Sequence, residues 1–228
     1  MTRLTLMGVG AMRSPRFAPA GLLVEHGRDR VMIDGGPGAD PRGHLDAWLV
    51  TDARAELIRD IRALAWRHHL EPEVDDYVRD GSLRINPEPV VHTSHPTYGY
   101  RIWLGSFLVA WAPEFFVFPA WASGVDLLFA DGAGWNRPIR FAGGVGGHAC
   151  VIDVAREARE HGVRRLVFAH IGRPSIRASI AGERPPFGEL GHDRQVFRVP
   201  ASRAREPHSY RASPSRPKRS TSSRNSSA

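Results

Sequence analysis

Val31-Met32-Ile33-Asp34-Gly35-Gly36-Pro37-Gly38 is a short apolar run that ends on an aspartate and is cut off by three glycines and a proline. The apolar residues favour an extended strand, and no regular element continues through Gly-Gly-Pro-Gly, so Asp34 is left at a strand end. This run, 30–33, is joined at His26-Gly27-Arg28-Asp29 to a further β-like run at 21–25, and residues 4–9 alternate apolar and polar side chains ahead of a Gly-rich turn. This spacing predicts a β-meander at the start of the chain.

Beyond Gly38 the pattern changes. Residues 45–50 are apolar and lead into a helical pattern in which Leu57, Ile61, Leu64 and Ala65 share one face while Arg54, Arg59 and Arg62 do not. Residues 51–56 therefore lie between a strand end and a helix start. After a polar stretch at 71–80, residues 89–92, 98–103 and 107–111 read as strands, and 126–130 as a strand of the buried type. Val151, Val154, Ala155 and Ala158 mark an amphipathic helix ending near Gly162, and 164–169 is a strand that stops at His170. A β-rich start followed by alternating α and β suits helices packed on the faces of two sheets.

At 228 residues, one sizeable core is the expectation. The net charge of +7 would point to nucleic acid if it were spread over a folded face. It is concentrated instead after Pro200, where seven Arg or Lys stand against Glu206, a net of +6 that leaves about +1 for everything before. Residues 201–228 are Ser, Arg and Pro with almost nothing apolar, and the expectation is a domain over 1–200 followed by a disordered basic tail. Such a tail can meet RNA only through charge, since no aromatic platform is interleaved with it. The single Cys150 permits no internal disulfide, no apolar run reaches membrane length, and the first ten residues are too Gly-broken for a secretory leader. A cytoplasmic location without membrane contact is the expectation. Trp103, Trp111, Trp121 and Trp135 are read as core or pocket wall, with an exposed aromatic cluster around Trp121 and Trp135 able to serve a homodimer as the alternative.

Polar residues that end strands are where α/β folds place ligands. Asp34 ends one strand, Asp52 and Glu56 follow another, and His92 and His95 a third; Glu114 and Asp131 follow two more, His148 opens a helix, and His170 ends the last strand. The runs at 4–10, 21–25 and 31–38, Tyr98-Gly99-Tyr100-Arg101-Ile102 behind a histidine, Gly147-His148 before a helix, and Arg165-Leu166-Val167-Phe168-Ala169-His170-Ile171 together resemble metallo-β-lactamase-fold hydrolases. The nearest branch is that of ribonuclease Z and the cyclic phosphodiesterases. The resemblance spans roughly residues 4–190.

That resemblance implies a four-layer αββα sandwich in which a dinuclear metal site generates hydroxide for attack on a phosphodiester or ester. The family's His-x-His-x-Asp-His loop falls here on Asp52, Arg54, Glu56 and Leu57, so the loop has lost its histidines. His92 and His170 take the places of later metal histidines, Glu114 that of the bridging aspartate, and His148 that of a histidine assisting the leaving group. The site expected from this is an atypical centre with one divalent ion (Mn, Mg or Zn) held by Asp52, Glu56, His92, Glu114 and His170, with His148 and Arg54 as catalytic contacts and a small phosphoester or ester as substrate. Three carboxylates at Asp52, Glu56 and Glu114 require a compensating cation. Either an ion supplies it, or Arg54 fills the vacated space and pairs with Glu114. In the second case the chain is a non-catalytic relative binding a small anion or a partner. Taken singly, Asp52 also reads as a helix N-cap, His95 as a turn residue, and the Gly143-Gly144-Val145-Gly146-Gly147 loop either as an anion cradle or as a hinge.

Overall fold

The computed structural model describes residues 2–199. The expectations for the basic tail fall outside the described residues. In chain order the strands are β1 (Thr2–Gly8), β2 (Gly21–His26), β3 (Asp29–Asp34), β4 (Ala47–Leu49), β5 (Tyr77–Arg79), β6 (Leu83–Val90), β7 (Thr97–Leu104), β8 (Phe107–Ala112), β9 (Leu127–Asp131), β10 (Ile139–Arg140), β11 (Gly147–His148), β12 (Leu166–Ala169), β13 (Glu189–Leu190) and β14 (Val196–Val199). Three α-helices accompany them: α1 (Ile58–Trp66), α2 (Val151–Glu160) and α3 (Arg173–Ile180).

Two mixed sheets face each other. The first runs β14-β1-β2-β3-β4, and the second β13-β12-β9-β8-β7-β6-β5. The meander β1–β3 is antiparallel and β4 joins it in parallel, whereas β8, β9, β12 and β13 are mutually parallel. Side-chain alternation sorts the layers, because residues two apart share a sheet face. Leu4, Leu6, Leu22, Val24, Val31 and Ile33 of the first sheet meet Tyr100, Ile102, Trp111, Phe129 and Val167 of the second in one core. Their sequence neighbours Leu23 and Met32 point the other way, onto Trp48 and the Ile61, Leu64 and Ala65 face of α1. On the far side, Ala110, Leu128, Ala130 and Phe168 pack against Val151, Val154, Ala155 and Ala158 of α2. The order helix, sheet, sheet, helix is the four-layer αββα sandwich that the resemblance implies. Strands β9 and β12 are buried on both faces, which explains their unbroken apolar runs.

Three details depart from expectation. Trp135 is buried and its indole donates to Glu183, while Trp121 is half-buried against α2's cluster and donates to Pro89 O. These rings fill the layer outside the second sheet and do not form an exposed dimer patch. His148 lies on β11, two residues before the Cys150 N-cap of α2, and so outside the helix. Asp52 is not an N-cap either: α1 begins at Ile58, and Asp52 Oδ1 instead accepts the Arg54 N–H at 2.7 Å. Among the described residues no helix is long and apolar enough to cross a membrane.

Candidate functional site

The strand ends converge at one edge of the sandwich around a cavity of about 330 Å³, lined by Asp34, Asp52, Arg54, Glu56, His92, His95, Glu114, His148 and His170 together with an apolar wall. Asp34 and His170, each ending a strand, have left-handed backbone with φ of 54° and 50°. Such conformations cost a non-glycine residue about 1–3 kcal/mol and persist where the surroundings fix them.

Glu114 stands at the centre. Its Oε1 accepts from His170 Nδ1 at 2.9 Å and its Oε2 from His92 Nε2 at 3.2 Å. The other nitrogen of His92, Nδ1, donates to Gly147 O at 2.8 Å. A carbonyl and a carboxylate both accept only, so both ring nitrogens of His92 carry hydrogen in this arrangement. Burial pulls the His92 imidazole down, but the bond and charge of Glu114 outweigh it and leave its pKa raised. His170 is likewise opposed by burial, yet the Glu114 carboxylate lifts it to about 9. Burial acts to raise Glu114, and the two histidines overcome it and hold the carboxyl well below the usual range.

Two further pairs flank this triad. Asp52, buried, accepts from His95 Nε2 through both oxygens, at 2.9 and 3.0 Å. Asp131, wholly buried, accepts from His148 Nδ1 at 2.8 Å and from the backbone N–H groups of Phe115 and Ala133. That leaves His148 Nε2 as the free nitrogen of a dyad on the cavity wall. His148 stacks on His170 with ring centroids 5.0 Å apart and lies 4.7 Å from His92, and Phe141 meets both His92 and His148 edge-on. Below them Asp34 accepts from Thr51 N, Thr51 Oγ1 and Trp111 Nε1.

The five expected ligands are not all brought together. His92, Glu114 and His170 meet, Asp52 is engaged by His95, and Glu56 is exposed at the rim without an ion pair among the described residues. Arg54 is exposed too and does not reach Glu114; the positive charge facing that carboxylate comes from the two histidines. Gly147 N–H is spent on His92 O at 2.9 Å, so at this residue the glycine loop clasps His92 and the N–H is not open to an anion. The dinuclear centre of the resembled family does not fit these donors. Arg54 and Leu57 offer no ligand atom, Asp52 and His92 are already hydrogen-bonded, and among the described residues no three His, Cys, Asp or Glu side chains surround a common ion position. Sequence reasoning had Asp131, Asp34 and His95 among the strand-end residues but gave the two aspartates no role and left His95 between a turn residue and a competitor of His92. Their partners come from other strands, and only the signal of an acid closing an apolar run was available.

No protein-family model and no curated protein matches the sequence. Solved structures do. The metallo-β-lactamase fold protein YhfI from Bacillus subtilis superposes with a TM-score of 0.66 at 16% identity, over 87% of this chain and 100% of that one. A diphosphatase of the PhnP family does so at 0.66 and 18% identity, over 88% and 98%. Zn²⁺-bound PqqB from Methylobacterium extorquens follows at 0.64 and 13%, over 86% and 100%. With two facing mixed sheets, outer helices and these superpositions, the chain has the metallo-β-lactamase fold.

Proposed function

We propose that the chain is a hydrolase-like protein that takes a small phosphoester or related ester in this cavity and works with protein groups where the fold's metal pair would stand. The observation that carries the reading is the closed pairing of His92, Glu114 and His170 beside a buried Asp131–His148 dyad open to the cavity. In hydrolysis, His148 Nε2 takes a proton from water as the water oxygen bonds to phosphorus. The ester P–O bond breaks, and the proton passes to the departing alcohol. Asp131 fixes the tautomer, and the two hydrogen-rich imidazoles face the developing oxyanion charge.

Bis(p-nitrophenyl) phosphate turnover by chelator-treated full-length protein tests it. Activity should persist without metal, fall about 10²–10⁴-fold in His148→Ala, and lose kcat more than KM in the positioning variant Asp131→Asn. Turnover equal in wild type and His148→Ala would reject the reading.

One observation favours a second reading. His92 is held by Gly147 O so that Nε2 is presented to Glu114, as second-shell bonding presents a metal ligand. A single divalent ion held by His92, Glu114 and His170 would have to displace the hydrogen bonds among them. Activity that appears only with about one equivalent of Mn²⁺ or Zn²⁺ selects it.

A further inference from the structure

The cavity is lined by two chemically different sets of residues. The histidine cluster and Glu114 form its polar floor, and Phe141 meets His92 and His148 of that floor edge-on. Met12, Pro19, Leu57 and Ile61 supply an apolar wall. Leu57 and Pro19 close over Gly36, whose missing side chain would lie 3.4 Å from Leu57 Cδ1 and 3.3 Å from Pro19 Cγ. Ile61 is buried from beneath by α1's core, so the wall is anchored, whereas Met12 is left 41% exposed at the mouth. A single exposed methionine is ordinary, but one that continues an apolar wall into a cavity is a surface for a ligand to cover.

Resting on the reading of this cavity as a phosphoester site, we infer that its ligand is a phosphate ester bearing an aryl or compact branched apolar group. The anionic head lies on the floor between His92, His148 and His170, and the apolar group lies between Phe141 and the wall of Leu57 and Met12. Phe141 offers a ring, and the side chains of Met12, Pro19, Leu57 and Ile61 offer only carbon and sulfur atoms, so a polar or sugar-bearing leaving group packed against them would lose hydrogen bonds, whereas the polar groups of Thr51, Asp52, Arg54 and Glu56 line other parts of the cavity.

Titration calorimetry of the full-length protein with methylphosphonate and phenylphosphonate tests this, because the heads match and neither C–P bond hydrolyses. Phenylphosphonate should bind about tenfold tighter or more, with a more negative heat-capacity change, as burial of an aromatic ring requires. The ratio should fall toward one in Leu57→Asn and in Phe141→Ala, each checked for folding by its thermal melt. Equal affinity of the wild type for both ligands would overturn the inference and leave the site reading standing. Binding of neither would overturn both. A ratio retained in both variants would refute the assignment to this wall.

Discussion

Asp34 shows how one residue at a strand end is pulled two ways. Three donors favour its carboxylate, yet burial beneath the cavity is the larger effect and pushes its pKa up to about 6. A carboxyl raised above its unfolded value of 3.8 makes ionisation costly in the folded state. Its contribution to stability is therefore greatest below about pH 4 and is lost as pH rises through about 6. A shift of this size corresponds to at most about 3 kcal/mol. Asp34→Asn does not titrate, so its stability relative to wild type should improve by up to about that amount between pH 4 and 7 in urea denaturation. A flat difference, or one that moves the other way, contradicts the burial argument. Residues of this kind were half legible: the Gly-Gly-Pro-Gly break after Asp34 gave away a strand end. Its partner Trp111, on β8 of the second sheet, could not be read, because no local pattern reports a contact across 77 positions. The contact of His95 with Asp52 was hidden for the same reason, since the two are 43 residues apart.

At the scale of elements, the short ribbon β10–β11 does more than its two residues per strand suggest. It carries Phe141 and His148 to the cavity, and Gly147 clasps His92 twice, giving its N–H to His92 O and taking the His92 Nδ1 hydrogen on its own carbonyl. The clasp needs glycine. At Gly147 φ is 154° and a Cβ would meet Ile139 O at 1.9 Å; at Gly146 φ is 146° and a Cβ would meet His92 O at 2.0 Å. Backbone oxygens cannot swing away as a flexible side chain can. Gly147→Ala should cost at least about 2 kcal/mol in chemical denaturation and abolish turnover, while Gly144→Ala, with open space around it, should cost about 1 kcal/mol from its φ of 70° alone. Equal effects at the two sites would mean that the ribbon is not held this way. The long strands and the amphipathic α1 and α2 were legible from periodicity. Strands β5 and β14 and helix α3 were not: β5 has three residues, and β14 alternates exposed and buried positions over only four. Strand β14 exists because it pairs with β1 across the chain, Thr2 against Val199.

That pairing sets the scale of the whole molecule. With β14 at the edge of the first sheet ending at Val199, every described strand precedes Pro200, and the charge count divides at the same place. Residues up to Pro200 carry a net of about +1, so the folded part has little long-range attraction for a polyanion. The seven Arg or Lys after it are enough to release several counterions from RNA. Truncation after Pro200 should leave the thermal midpoint unchanged, because every described strand and all three packed clusters are retained. Full-length protein should bind a single-stranded RNA weakly, with a log affinity against log salt slope no steeper than about −5, and the truncated chain should not bind measurably. Fluorescence anisotropy between about 50 and 200 mM salt reads both. Retained affinity after truncation would place the RNA contact on the sandwich itself, and the cavity edge with exposed Arg54 would then be the first surface to mutate. The cavity titrations with phosphonates should be identical in both forms. The described residues that line the proposed anion site all precede residue 171.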